Sequence, residues 1–163
     1  VFATTHAIHC GAALESLIAL GAHPHFVARS FRGAIAQTLV RRLCRYCTVT
    51  LDETGDMQLL DGVRRHLGPA ERPVLSLGRG CPHCRHTGYR GRLGVFEVLA
   101  ASDEIREMIG RGAPARDIYN CAARHDMLTI ADAGKLAALR GLTTIEELLQ
   151  NISEIWTGES STA

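Results

Sequence analysis

Cys44-Arg45-Tyr46-Cys47 and Cys81-Pro82-His83-Cys84 are the two stretches whose reading decides the middle of this chain. Two CxxC pairs separated by a loop of moderate length are what a tetrahedral structural zinc site requires. Each tight turn presents two thiolates to one side of the ion, and the fold brings the turns together. Gly80 before the second pair and Pro82 within it suit such a turn. Two other readings exist: four reduced core cysteines, or two disulfides, which rarely persist in a cytosolic protein. The paired spacing favours zinc, closed on Cys44, Cys47, Cys81 and Cys84. His83 and His86 are alternative ligands, otherwise solvent-facing residues of the second turn.

The 163 residues are 46% hydrophobic and 21% charged, with a formal net charge of +1. That is enough apolar material for a core, and neither disordered nor collagenous composition. The near-zero charge gives no global attraction to nucleic acid or acidic membrane. No apolar run approaches the roughly 20 residues of a membrane span. No signal peptide is visible, and Val1-Phe2-Ala3-Thr4 reads as a strand cut from something longer.

Leu14, Leu17, Ile18 and Gly21 at helical spacing follow that run, giving strand, loop, helix. Pro24 opens a second helix through Phe26, Val27 and Phe31. Residues 34–43 are expected to form a strand feeding the first cysteine pair. Asp52 to Asp56 read as a turn, Leu59, Leu60, Val63 and Leu67 as a short helix, and Val74 to Leu77 as a strand. Leu93 to Leu99 read as an apolar strand buried on both faces, with Glu97 its one charge. Ser102 caps a helix whose core face is Ile105, Met108 and Ile109. Pro114 opens another, burying Ile118, Tyr119 and Ala122. A third runs from about Thr129 to Arg140. Thr143-Thr144-Ile145-Glu146-Glu147 offers two capping boxes for the last, with Ile145, Leu148, Leu149, Ile152 and Trp156 as its apolar face. Residues 157–163 read as a polar tail.

The chain contains no GxxxxGK[ST], no HExxH, no G-x-S-x-G and no dinucleotide fingerprint. His6, at the carboxyl end of the expected first strand, stands where ligands gather in open α/β sheets. Its bland alternative is a hydrogen-bonded loop residue. Arg41, Arg42 and Arg45 flank one cysteine pair and Arg79, Arg85, Arg90 and Arg92 the other. This basic lobe is either a solvated surface or a contact for anionic phosphate.

Val1-Phe2-Ala3-Thr4-Thr5-His6, Ala36 to Cys44 (compare AQRLVRxLC), and Cys81-Pro82-His83-Cys84 with Thr87-Gly88-Tyr89-Arg90-Gly91-Arg92 to Leu99 resemble motifs of one family. So do Met127-Leu128-Thr129 and Gly141 to Glu147. They resemble, in order, the C-terminal half of the type II secretion and type IV pilus assembly ATPases, the GspE and PilB-like family. The resemblance implies an α/β fold: part of a RecA-like core (1–43), an inserted tetracysteine zinc lobe (44–90), a returning strand (91–101), a helical C-terminal lobe (102–156) and a tail (157–163). It implies ATP and magnesium in the whole protein, with His6 catalytic and Gln37 and Arg41 nucleotide contacts. It further implies a hexameric motor, cytoplasmic and peripheral to the inner membrane, driving pilin or pseudopilin assembly on the secretion or pilus platform, with nucleic acid not expected as a partner. This stretch alone, without a P-loop, is expected to be inactive. The chain departs from the family at Ala7-Ile8, Ser16, Thr38, Asp126 and Ala131, and at Ser16, Thr38 and Ala131 the departure loses a guanidinium whose bidentate contacts Ser or Thr cannot replace. The contrasting reading is an independent zinc ribbon binding nucleic acid through its arginines.

Overall fold

The computed structural model describes residues 1–51, 55–125 and 127–156. The expected turn at 52–56 in its first three residues, Asp126, and the tail at 157–163 lie outside that set, as do the side chains of Leu59 and Trp156. The described residues form a mixed α/β chain of two compact units, those of 1–38 with 96–129 and those of 39–95 with 130–156. Strand β1 (Gly33–Leu43) pairs with strand β4 (Tyr89–Ala100), and both strands run from one unit into the other.

In the first unit, helix α1 (Cys10–Ala19) packs on α4 (Ala115–Arg124), and α2 (Pro24–Ser30) packs on α3 (Asp103–Gly110). Each start has a local cause. The imidazole of His9 accepts from the Ala12 N–H at 3.1 Å, and Pro24 supplies a pre-set φ at the first turn of α2. Ser102 accepts from the Ile105 N–H at 3.2 Å, with Asp103 and Glu104 in the first turn, as its cap position predicts. Leu14, Val27, Phe31, Leu99, Ile105, Ile109 and Ile118 form the core.

Residues 1–7 carry no regular secondary structure, so the expected first strand does not form. The segment is exposed and has no strand beside it to pair with among the described residues, so its backbone groups are left to water in place of a ladder. The expectation that β4 is buried on both faces is also overturned. Val95, Glu97 and Leu99 point inward while Phe96 and Val98 stay half exposed. Phe26, on the helix that Pro24 opens, is exposed.

In the second unit, β2 (Thr48–Thr50) and β3 (Ser76–Gly78) pair antiparallel in the register Thr48 to Gly78. The excursion between them carries a 3-10 helix, Gly55–His66, which packs on α5 (Ile130–Leu139) through buried Leu60 and Val63. Helix α6 (Ile145–Trp156) lies against α5, and Gly134 permits the approach: a Cβ there would sit 3.0 Å from Leu148 Cδ2. Leu148 and Ile152 are the buried apolar positions described on α6, whereas Leu149 is part-exposed.

Candidate metal centre

The antiparallel pairing of β2 with β3 sets the two CxxC turns side by side. Cys47 immediately precedes β2, and β3 ends three residues before Cys81. The first turn closes when the Cys47 and Thr48 N–H groups donate to the Cys44 carbonyl at 3.1 and 3.0 Å. The second is a 3-10 turn, Pro82–Cys84, in which the Cys84 and His86 N–H groups donate to the Cys81 carbonyl. Arg79 N–H donates to the Cys47 carbonyl and Cys44 N–H to the Gly88 carbonyl, stitching one turn to the other.

Close backbone contact is needed for this. A Cβ on Gly78 would lie 2.3 Å from the Gly88 carbonyl oxygen, and Gly88 itself has φ +79°, a left-handed value. Both positions are therefore closed to ordinary L residues. Arg85 and His86 also sit at positive φ, 52° and 62°, and both are exposed. The two histidines near the second pair do not enter the cluster of metal-ligating groups.

All six cysteines are free thiols. The four of the tandem pairs gather with every sulfur within 4.8 Å of the others. Cys44 and Cys81 stand 3.9 Å apart, Cys47 and Cys84 3.8 Å, and Cys81 and Cys84 3.8 Å. Four sulfurs at about 2.3 Å from a tetrahedral zinc are separated by about 3.8 Å. The geometry is thus compatible with a closed zinc site and leaves no room for a water ligand.

Two backbone donors, Cys81 N–H at 3.1 Å and Gly88 N–H at 3.3 Å, point at the Cys84 sulfur. Burial pushes this thiol up, but those N–H groups together with the neighbouring Cys81 and Cys47 thiols bring it down to about 6. Cys47 goes the other way: burial, reinforced by the neighbouring thiols, raises it to about 12. A dication would resolve this by binding thiolate at all four positions.

The other residues singled out from sequence lie elsewhere. His6 is exposed on the irregular segment 1–7, and Gln37 is exposed on β1. Arg41 has internal partners. Its Nε and Nη2 reach the buried Glu147 carboxylate at 2.6 and 2.5 Å, and its backbone N–H donates to the same group at 2.8 Å. Its guanidinium also lies over the Tyr89 ring, and the Tyr89 hydroxyl pairs with Thr144. Thr144 accepts from the Glu147 N–H, so half of one expected capping box forms, while Thr143 donates to the Arg41 carbonyl. Sequence reading saw Glu147 as a cap; its role as the anchor of β1 depends on a contact 106 residues away. Arg41, Arg92, Glu147, Gln150 and Asn151 line an open cleft of about 640 Å³. Arg45 covers the Tyr46 ring, which stacks on His83 at 4.2 Å across the two turns. Part of the basic lobe is therefore committed to internal contacts.

Residues 1–150 match the family model described as "Type II/IV secretion system protein". The type IV pilus assembly ATPase PilB of Thermus thermophilus is 36% identical over 158 residues, covering 94% of this chain and 17% of that protein. The type II secretion system protein HxcR of Pseudomonas aeruginosa is 33% identical over 150 residues, 92% of this chain and 28% of its own length. The type II secretion system protein E of Pectobacterium carotovorum is 34% identical over 155 residues, 94% of this chain and 30% of its own. The chain thus spans less than a third of the length of these relatives.

Proposed function

The chain belongs to the type II/IV secretion system protein family, and from that premise we propose that it is the C-terminal part of a secretion or pilus-assembly motor ATPase. Its own contribution is a zinc-stapled lobe and a helical lobe attached to the motor. Zinc sits on Cys44, Cys47, Cys81 and Cys84 and fixes the two knuckles as one rigid unit, a structural role that four sulfur ligands suit. The chemistry belongs to the whole protein, a hexamer that binds ATP and magnesium. There His6 faces the terminal phosphate, with Gln37 and Arg41 near the nucleotide. Hydrolysis drives pilin or pseudopilin assembly from the cytoplasmic side of the inner membrane. No helix among the described residues is long and apolar enough to cross a membrane.

The observation that carries this reading is similarity running from residue 1 to 150, across both cysteine pairs, rather than a match to the knuckles alone. The test is made on the whole protein, wild type against Cys81→Ser/Cys84→Ser. The reading expects ATP hydrolysis in the wild type and loss of surface pilin or exported protein in the variant. Absence of hydrolysis in a folded wild type, or undiminished assembly when the gene is deleted, overturns it. This chain by itself is expected to bind Mg-ATP no better than background, because no phosphate-cradling loop lies in its sequence.

A further inference from the structure

The first unit holds a second group of metal-ligating side chains. Cys121 and His125 lie four residues apart, Cys121 within α4 and His125 at its C-cap, so both project from one face of the helix. Glu104, in the first turn of α3, faces them from the neighbouring helix. The thiol sulfur, an imidazole nitrogen and a carboxylate oxygen all lie within 4.8 Å of one another. His125 Nε2 is 3.5 Å from Glu104 Oε2.

We propose that Glu104, Cys121 and His125 form a second, three-ligand site for a borderline divalent transition ion such as zinc. Three arguments support that class of ion. The donor set is one sulfur, one nitrogen and one oxygen, the mixture zinc accepts and a hard cation such as magnesium does not. Binding releases the thiol proton, leaving thiolate, carboxylate and neutral imidazole, whose two negative charges match one dication. The site also lies at the carboxyl end of α4, where the helix dipole favours a cation. Arg124 is the opposing charge: its guanidinium acts on the same thiol, favouring the thiolate while repelling the metal.

Ligands about 2.0–2.3 Å from a tetrahedral ion stand about 3.5 Å apart, so the cluster must contract by up to about 1.3 Å. The parts that must move are the free ones. The His125 and Glu104 side chains are 65% and 56% exposed, while Cys121 is fixed in the core. Three protein ligands leave a fourth position open to water, unlike the closed tetracysteine cluster. Without metal, burial and the hydrogen bond with the Glu104 carboxylate hold the Cys121 thiol protonated.

The test is cobalt(II) titration of the whole chain, counting bound equivalents and following thiolate-to-cobalt charge transfer. Wild type should take up one equivalent more than His125→Ala, and the same difference should appear for Cys121→Ala. His125 is exposed at a helix end, so its variant keeps its fold, checked by an unchanged circular dichroism spectrum. The Cys81→Ser/Cys84→Ser variant should retain the extra equivalent, which separates this site from the tetracysteine cluster. Equal stoichiometry in wild type and His125→Ala overturns the proposal, as does loss of that equivalent in the Cys81→Ser/Cys84→Ser protein.

Discussion

Arg41→Ala should destabilise the second unit more than Glu147→Gln, although both remove the same ion pair. The Glu147 side chain is 2% exposed and the Arg41 side chain 49%. Removing the arginine strands a carboxylate that cannot reach water, whereas removing the carboxylate's charge leaves a guanidinium that can. Breaking a fully buried pair costs about 3–5 kcal/mol, and the half-exposed arginine brings this to roughly 3 kcal/mol for Arg41→Ala. Glu147→Gln keeps an acceptor for the Arg41 backbone N–H and loses the charge-assisted part of the bonds, about 1–2 kcal/mol. The double variant Arg41→Ala/Glu147→Ala should be no less stable than Arg41→Ala, because no orphan charge remains. The assay is urea unfolding followed by far-ultraviolet circular dichroism. If both single variants lie within about 0.5 kcal/mol of wild type, the pair behaves as an ordinary surface ion pair and the reasoning is refuted.

Gly78→Ala and Gly88→Ala should each cost more than about 2 kcal/mol and weaken metal retention, since a Cβ at either site meets backbone within 2.6 Å; normal metal content in both would contradict the close approach. Cys10, whose thiol burial and the Glu97 carboxylate push up to about 12, should resist alkylation at pH 8 in the native protein, where about one thiol in ten thousand is ionised. Mass spectrometry showing rapid native labelling of Cys10 would count against its placement. The Arg140 guanidinium, helped by the Gly68 N–H, holds the Glu71 carboxyl below its usual range. A carboxyl lowered in the folded state contributes stability above its unfolded pKa, about 4.3, and loses it as pH falls through the lowered value. Glu71→Gln should accordingly flatten the acid limb of the stability curve, and an unchanged limb would dismiss the contribution.

The cysteine turns were legible because CxxC spacing is a local rule, and so was the cap at Ser102. Helices α1, α3, α4 and α6 followed from apolar periodicity for the same reason, and α2 from Pro24 at its start. What escaped depends on distant partners. A β-branched opening looks like a strand, but residues 1–7 have none beside them among the described residues. The apolar run in β4 suggested two buried faces, yet Phe96 and Val98 are half exposed because nothing among the described residues covers them. Glu97, conspicuous as a charge in an apolar strand, is fully buried and accepts from the Cys10 N–H at the start of α1 and from the Tyr119 hydroxyl on α4. Helical spacing of Cys121 and His125 was visible in the sequence; the third ligand, Glu104, comes from another helix and was not.

The most direct test of the account is the metal content and sulfur coordination of the tetracysteine cluster. Protein purified without chelator should carry one zinc per chain more than its Cys81→Ser/Cys84→Ser variant. X-ray absorption at the zinc edge should place four sulfurs at about 2.3 Å around that ion. Equal zinc in the two proteins, or a shell of nitrogen and oxygen in place of sulfur, would contradict the zinc-stapled lobe on which the account rests.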